Sequence, residues 1–279
     1  MYSTINCKGR LIDLSKPLVM GVVNVTNDSF YAKSRCHSEG LIEAKVAKHL
    51  KEGASIIDIG AYSTKPGCHD IPAELEMEDI AMAMKVIVQE FPDAIVSVDT
   101  FRAEVARFAV EECGVAIVND VSGGTMDPDM LSTVAKLHVP YVLMHIKGTP
   151  QTMQDDCHYD GDMVDDIIKF FATQVERLKL LGVSDIIIDP GFGFAKDLDQ
   201  NYLLMHRLDD FKVLELPILV GISRKSMIYK YLGGTPNDAL NGTTVLNTIA
   251  LTKGANILRV HDVKPAMEAI KICEKTGLI

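Results

Sequence analysis

The chain has 279 residues, of which 47% are hydrophobic and 24% are charged, a composition ordinary for a globular protein with a sizeable core. Its 28 basic and 38 acidic side chains give a net charge of −10. Sequence-independent nucleic-acid binding depends on neutralising phosphates, so we predict no nucleic-acid partner. An anionic ligand would need a local cationic cluster within this acidic surface.

The cysteines and the N-terminal segment indicate the compartment. Six cysteines are scattered along the chain without a CxxC pair, which favours reduced thiols in a reducing cytoplasm over disulfides or a zinc site. The segment MYSTINCKGRLIDL has no apolar signal-peptide core, and no stretch approaches about 18 uncharged apolar residues. We therefore expect a cytoplasmic protein with no membrane association.

A pattern of short apolar runs followed by amphipathic stretches repeats along the chain. The runs are rich in Val and Ile and apolar on both faces, as in strands of a covered parallel sheet. They lie at 19–25, 55–61, 94–100, 115–121, 141–145, 185–191, 217–223 and 255–261. Helices are predicted at 39–53, 73–91, 101–113, 162–182 and 265–276, with a further helix start at Asp127-Pro128 and helix ends at Gly53 and Gly182.

Eight strands alternating with helices predict an α/β fold, a single-domain (β/α)8 TIM barrel over residues 18–279, rather than an open doubly wound sheet. Residues 1–17 lie outside the repeat. We expect them to form a short N-terminal extension, a hairpin or plug under the barrel.

Polar side chains stand at the end of every predicted strand, where the active site of such a barrel lies. They are Asn24, Asp58, Asp99, Asn119, His145, Asp189, Ser223 with Arg224 and Lys225, and Arg259 with His261. Carboxylates and amides suit a planar heterocycle with several N–H donors, because one carboxylate accepts two parallel N–H bonds. The basic side chains suit a phosphate or pyrophosphate.

Each of these residues has a plainer interpretation when it is taken alone. Asp99 could cap the helix predicted from residue 101, and Asp189 could open a turn with Pro190. His145 is more often a satisfied core histidine, and Lys225 could be a solvated lysine at a helix start. The sequence GFGF at 191–194 is weak evidence for phosphate binding. No Ser-His-Asp, Cys-His or zinc-ligand spacing is present, so the prediction depends on the whole set.

Eight segments of the chain together resemble the dihydropteroate synthases, within the wider group of pterin-binding barrels. They are NVTNDSF at 24–30, DIGAYSTKPG at 58–67, SVDT at 97–100, VND at 118–120, LMH at 143–145, DPGFGF at 189–194, VGISRKS at 220–226 and RVHDV at 259–263. The match covers almost the whole barrel in order, and the STKPG, SRKS and RVHDV segments are the most specific.

The resemblance implies a transferase of folate biosynthesis, which joins 6-hydroxymethyl-7,8-dihydropterin pyrophosphate to p-aminobenzoate and releases diphosphate. Its implied catalytic residues are Asp58, Asp99, Asp189, Lys225, Arg259 and His261. The implied pterin contacts are Asp99, Asn119, Met144, Asp189, Gly221 and Lys225, and the p-aminobenzoate contacts are Phe30, Thr64, Pro66, Phe194 and Ser223. The diphosphate contacts are Asn24, Thr64, Lys65, Arg259 and His261, with Asn24 also binding Mg²⁺ and Asp58 steadying Arg259 or the hydrated metal. It further implies sulfonamides as competitive inhibitors and a homodimer formed through late helices.

Several positions depart from the family pattern, all in the first two loops. Asn27 stands where the family usually has Pro, and Ala32 where it has Asp. Ala61, Tyr62 and Lys65 replace Gly, Glu and Arg of the GESTRPG segment. Since Lys is a point charge without the planar fork of Arg, bidentate anion contacts are lost at position 65. These changes bear on loop closure and p-aminobenzoate affinity more than on the reaction class.

Three other functions remain open from the sequence. A methyltetrahydrofolate:corrinoid methyltransferase would share the pterin contacts but has no need of a diphosphate cluster. The second possibility is a paralogue that binds pterin without turnover. The third is an aldolase that forms a Schiff base with Lys225. The aldolase leaves the acidic set without a role.

Overall fold

The computed structural model describes residues 4–25, 32–62, 71–149, 152–153 and 157–279, with side chains of the first helix described from residue 39. Ten strands lie in this part of the chain: β1 (Thr4–Cys7), β2 (Arg10–Asp13), β3 (Leu18–Asn24), β4 (Ile56–Gly60), β5 (Val96–Asp99), β6 (Ile117–Asp120), β7 (Tyr141–Met144), β8 (Ile186–Asp189), β9 (Leu219–Val220) and β10 (Ile257–Val260). The helices are α1 (Ala32–Glu52), α2 (Ala73–Glu90), α3 (Ala103–Glu111), α4 (Met130–Leu137), α5 (Met163–Leu180), α6 (Leu198–His206), α7 (Ser226–Tyr229), α8 (Leu240–Thr252) and α9 (Val263–Lys275). Two 3₁₀ segments follow α6 and α7, at Leu208–Leu214 and Pro236–Ala239.

The strands β3 to β10 form one parallel sheet in the order β8-β7-β6-β5-β4-β3-β10-β9. A parallel bridge between Ile188 and Ile218 joins the two edge strands and closes the sheet. The predicted (β/α)8 barrel is therefore confirmed, and each predicted strand overlaps an observed one. Closure also removes the unpaired edges that an open sheet would leave.

Side chains alternate between the two faces of each barrel strand. Outward residues such as Ile57, Val98 and Ile188 pack against the surrounding helices in the largest apolar cluster. Inward residues at the amino ends of the strands form a second cluster inside the barrel: Met20, Ile56, Ile95, Ile117, Val142, Ile187, Leu219 and Ile257. The carboxyl ends of the strands are thereby left for polar inward side chains.

The antiparallel pair β1–β2 covers the amino-terminal end of the barrel. Its apolar residues Ile5, Cys7 and Ile12 belong to the inner cluster. The backbone N–H of Asn6 donates to Asp185 Oδ2 at 2.9 Å, which ties the hairpin to the chain just before β8. Apolar side chains thus fill the barrel interior at this end, and the active site of such a barrel lies at the other.

Among the described helices, none combines the length and the apolar character needed to cross a membrane.

Candidate active site

The inward positions above the inner apolar cluster carry the residues that the sequence singled out. They are Asp58, Asp99, Asn119, Met144, Asp189, Gly221 and Arg259, each on or directly after a different strand. Neighbouring strands hold them in register, with Asp99 beside Asn119 and Met144 beside Asp189. Seven strands therefore converge on one cavity floor, because inward side chains of a barrel meet at its axis.

Arg259 lies between two carboxylates from across the barrel. Its Nε donates to Asp58 Oδ2 at 2.7 Å, and its Nη2 donates to Asp99 Oδ2 at 2.5 Å. Asn119 Nδ2 also donates to Asp58 Oδ2, at 3.2 Å. Burial by itself would lower the pKa of Arg259, but Asp58 and Asp99 raise it above the ordinary value. Arg259 is therefore a permanent cation in the centre of the site.

Asp99 takes part in the site and does not cap a helix. Helix α3 begins at Ala103, whose N–H is accepted by Asp127 Oδ2 at 2.7 Å. The helix-cap interpretation of Asp99 is therefore wrong. Burial raises the pKa of Asp99 to about 7, while Arg259 acts in the opposite direction.

Asp189 and Lys225 are two further charged residues of the site, and each acts electrostatically on the other. Asp189 is buried, and its Oδ1 accepts the Gly191 N–H at 2.8 Å, so the predicted turn exists alongside the site role. Burial raises the pKa of Asp189, and Lys225 most strongly opposes this rise. Lys225 Nζ donates to Phe192 O and lies 4.5 Å from the centre of the Phe194 ring. Burial lowers the pKa of Lys225 to about 8. Lys225 directly precedes α7, but its side chain is half-buried and its Nζ is bonded to the Phe192 carbonyl, so it is not simply solvated.

Gly221 lies between the Asp189 carboxylate and the Arg259 side chain. A Cβ at this position would lie 3.8 Å from Asp189 Oδ2 and 3.9 Å from Arg259 Cβ. These are ordinary contact distances, so the glycine leaves a gap about one methyl group wide between the carboxylate and the arginine.

His261 contacts Ser223 at the rim. The His261 N–H donates to Ser223 Oγ at 3.1 Å, and Nδ1 lies 3.2 Å from the same oxygen. Burial and Arg259 lower the pKa of His261 to about 4, so the ring is neutral near pH 7. Ser223, expected at the p-aminobenzoate site, thus lies with a residue expected to bind diphosphate.

Arg224 and His145 do not join the cavity. Arg224 pairs with Asp262, with Nε 2.7 Å from Oδ2, and also donates to the carbonyls of Pro236 and Asn237. His145 is on the outer face of the barrel wall, with its ring centre 5.1 Å from that of Phe170. Of the basic cluster inferred from the sequence, Arg259 and Lys225 thus lie with the cavity residues, His261 lies beside Ser223 and Arg224 does not join them.

Lys196 is a buried residue that sequence reasoning missed. It is 2% exposed, and its Nζ lies 3.1 Å from His145 Nδ1. Nothing in the local sequence marks it, apart from the apolar Phe194 and Ala195 that precede it.

The first two loops are only partly described. Asn27, Phe30, Thr64, Lys65 and Pro66 lie outside the described residues, and Ala32 is described only as the first residue of α1. Asn24 is exposed at the end of β3, beside Gly60.

Two of the departures from the family pattern lie inside the described part. Ala61 and Tyr62 are buried, and the Tyr62 ring makes an edge contact with Phe101 at 4.9 Å between ring centres. The Arg102 guanidinium lies 5.2 Å from the centre of the Tyr62 ring. The tyrosine that replaces the usual glutamate is therefore packed as part of a cluster.

Comparisons with known proteins agree with this geometry. The family model described as "Pterin binding enzyme" matches residues 20–261. A dihydropteroate synthase of Escherichia coli (strain K12) is 40% identical over 275 residues, which cover 96% of this chain and 95% of that protein.

Two solved structures are similar over the whole chain. A Yersinia pestis dihydropteroate synthase in complex with a sulfonamide drug superimposes with a TM-score of 0.91 at 37% identity, covering 99% of this chain and 100% of that one. A Xanthomonas albilineans dihydropteroate synthase with 4-aminobenzoic acid gives a TM-score of 0.90 at 34% identity, with both chains fully covered. The chain belongs to the dihydropteroate synthase family of pterin-binding enzymes.

Proposed function

We propose that this chain joins 6-hydroxymethyl-7,8-dihydropterin pyrophosphate to p-aminobenzoate, forming 7,8-dihydropteroate and diphosphate. The observation that carries the proposal is the single cavity floor in which Asp189 and Asn119 lie with Arg259 and Lys225. The pterin pyrophosphate needs both kinds of group. Its nitrogen-rich ring needs hydrogen-bond acceptors, and its leaving diphosphate needs a fixed cation. Membership of the dihydropteroate synthase family supports this reaction.

The pterin ring is recognised by the buried acid and amide groups. Asp189 accepts N–H bonds from the ring and its amino group, while Asn119 and Lys225 contact the ring heteroatoms. Met144 packs against the ring face, and Gly221 leaves room for the ring beside Asp189. Asp99 borders the ring and also holds Arg259, so it links the pterin to the diphosphate end of the site.

The proposed reaction is a single substitution at the CH2 group of the pterin. The CH2–O bond breaks and its electron pair leaves with the diphosphate, whose charge Arg259 stabilises. The cation left on the CH2 group is delocalised into the ring, next to the Asp189 carboxylate. The arylamine nitrogen then forms the C–N bond and loses a proton. The amine is neutral near pH 7, so its positioning contributes more than a strong base would.

His261 acts on the diphosphate as a neutral donor in the free enzyme, because burial and Arg259 hold its pKa near 4. Ser223 orients the ring through Nδ1. Phosphate oxygens arriving next to His261 would favour its protonated form, which would add a second positive charge during the reaction.

The residues present fit a magnesium ion bound together with the diphosphate. Mg²⁺ usually takes one or two protein oxygens and keeps several waters and substrate phosphate oxygens. Asn24 supplies an amide oxygen at the exposed end of β3. Asp58 Oδ1 is buried and has no hydrogen-bond partner among the described residues, so it could accept from a metal-bound water. When bound, the ion would neutralise charge on the departing diphosphate.

p-Aminobenzoate would bind at the mouth of the barrel, against Phe194 and near Ser223. Phe30, Thr64 and Pro66, which lie outside the described residues, would complete this part of the site. Sulfonamides, which resemble p-aminobenzoate in shape, would compete for the same place, in line with the complex of the Yersinia pestis relative.

We further propose a cytoplasmic homodimer formed through α6, α7 and α8. These helices and the residues just after α7 carry exposed apolar side chains: Leu203 41%, Tyr231 66%, Leu232 62%, Val245 51% and Ile249 37%. Tyr202 on α6 and Tyr231 after α7 are in ring contact at 5.3 Å, so these two elements lie side by side. Apolar surface of this kind is what an interface between subunits covers.

The test is diphosphate release from purified protein mixed with Mg²⁺, the pterin pyrophosphate and p-aminobenzoate. Release that requires all three supports the proposal. Pterin binding without release would indicate the idle pterin binder. Methyl transfer from methyltetrahydrofolate to a corrinoid would indicate the methyltransferase, and borohydride trapping of substrate on Lys225 would indicate the aldolase.

A further inference from the structure

Lys196 lies behind the wall of the cavity and makes three contacts with its ammonium group. Its Nζ donates to Phe194 O at 2.9 Å and to Gly191 O at 3.1 Å, and lies 3.1 Å from His145 Nδ1. An ammonium group has three N–H donors, so each donor has one acceptor. Burial lowers the pKa of Lys196 to about 7. When Lys196 is an ammonium, His145 Nδ1 is the acceptor of the third contact, which puts the proton of the neutral ring on Nε2.

These contacts hold a turn with three left-handed residues, of which only Ala195 carries a local conformational cost. Gly191, Gly193 and Ala195 have φ of +74°, +79° and +49°, and a left-handed conformation costs a residue such as alanine about 1 kcal/mol. The turn is also pressed onto β7, because a Cβ at Gly191 would lie 2.0 Å from His145 O. Lys196 binds the turn from inside, and Asn201 binds it from α6 by accepting the Gly193 N–H at 2.6 Å.

The 191–196 turn provides two of the groups that contact Lys225. The Phe192 carbonyl accepts a hydrogen bond from Lys225 Nζ, and the Phe194 ring lies 4.5 Å from the same nitrogen. A Cβ at Gly193 would lie 3.1 Å from Lys225 Cδ. Both the carbonyl and the ring that fix Lys225 thus belong to the six residues that the Lys196 ammonium holds together.

We infer that Lys196 is a positioning residue for the pterin site, which acts through the 191–196 turn to set the place of Lys225 beside Asp189. This inference rests on the proposed function. Lys196 itself does not reach the cavity, since its three donors are used behind the wall. It is buried with Asp189, Lys225 and Cys157 as its charged or titratable neighbours, and Lys147 acts on His145.

A double-mutant cycle tests the inference by measuring the binding of 6-hydroxymethylpterin, a fluorescent pterin without diphosphate. The proteins are wild type, Lys196→Met, Lys225→Met and the double variant. Methionine keeps the length of the lysine and removes its donors. We expect Lys196→Met to weaken pterin binding about tenfold when Lys225 is present and less than twofold when Lys225 is methionine. Lys169→Met on α5, whose side chain is 75% exposed, is the matched control and should bind pterin as wild type does.

The outcomes separate this inference from the proposed function. An equal loss of affinity in both backgrounds, or no loss with Lys225 present, would overturn the positioning role. If Lys196→Met does not show a cooperative thermal transition, Lys196→Gln, which keeps two donors, takes its place in the same cycle under the same criteria. Wild type that binds pterin but releases no diphosphate with all substrates would refute the reaction and leave the cycle interpretable.

Discussion

Asp189 and Arg259 face the cavity because alternate residues of β8 and β10 point into the barrel. Ile187 and Ile257, two residues earlier, lie in the inner apolar cluster, and Ile188 and Leu258 between them face the helices. A shift of one residue in either strand would turn the charged group into the apolar layer under the helices. Burial at these positions is what makes the charges strong, because a low local dielectric strengthens their interactions.

Asp189→Asn tests the stabilisation of the pterin cation. The two side chains have the same shape, so the Gly191 N–H keeps its acceptor and the fold is retained. We expect kcat to fall about 100-fold or more, since the amide lacks the negative charge beside the developing cation. Steady-state rates at saturating substrates measure this. A kcat within a few-fold of wild type would rule out the proposed cation stabilisation.

His261 gives a pH-dependent contribution to stability. Its pKa is about 4 in the folded chain, against an ordinary value of 6.5, and the charged groups around it are Arg259, Asp262, Lys45 and Arg224. Because the folded-state pKa is depressed, the unfolded chain binds the additional proton between these two values. The stability due to the neutral ring is therefore complete above pH 6.5 and is lost as the pH falls through 4.

We predict a difference in the pH dependence of unfolding between wild type and His261→Gln. Between pH 6.5 and 4, the free energy of unfolding of wild type should decrease more steeply, by up to about 1.4 kcal/mol per pH unit. Urea unfolding at a series of pH values measures both curves. His206→Gln, at an exposed histidine ending α6, controls for loss of a histidine. Parallel curves for wild type and His261→Gln would contradict the assignment.

At the scale of elements, Arg102 connects the two ends of the second loop. Its Nη1 pairs with Glu76 at 2.6 Å, and its Nη2 donates to Ile71 O at 2.7 Å. The guanidinium also lies over Tyr62, the last described residue before the loop. One side chain at the start of α3 thus joins the end of β4 to the start of α2.

Arg102→Met should destabilise the protein by about 3 kcal/mol, because Glu76 is fully buried and would lose its ion pair with Arg102. Chemical denaturation measures the change. The double variant with Glu76→Gln is the control, since removing both charges should recover part of the loss. A loss for Arg102→Met below about 1 kcal/mol would show that the pair contributes as little as a surface ion pair.

At the scale of the whole molecule, the surface is acidic and the site is of mixed charge. The net charge is −10, and in the barrel Arg259 and Lys225 lie close to the carboxylates of Asp58, Asp99 and Asp189. An anionic substrate would therefore be held by direct contacts with these individual cations and not by the overall field of the protein.

The proposed dimer predicts that Leu232→Glu gives a monomer. Leu232 is 62% exposed within the apolar surface of α6, α7 and α8, and a buried glutamate without a partner strongly disfavours an interface. Sedimentation velocity at micromolar concentration measures the change. Leu180→Glu, at an 82% exposed leucine on α5, should leave the dimer intact. Wild type that sediments as a monomer would refute the proposal.

The sequence by itself determined the order of the eight barrel strands, five of the helices between them and the set of strand-end residues, but not α6, α7 and α8. These follow from local signals: short apolar runs rich in Val and Ile, Gly and Pro at element ends, and polar residues where an apolar run stops. The same signals are enough to predict a barrel, and therefore a site at one end of it. Asp58, Asn119 and Asp189 were found in this way because strand ends in a barrel converge.

Only the tertiary structure decided which charges pair and which residues the helices cover. Arg259 pairs with carboxylates 201 and 160 residues away in sequence, while Arg224 pairs with Asp262 outside the cavity. Lys196 carries no local mark, yet the 191–196 turn puts it behind the wall with His145. Ion pairs and burial depend on distances across the closed barrel, which no local pattern encodes, because sequence periodicity fixes the face of a strand and not the neighbours that face it.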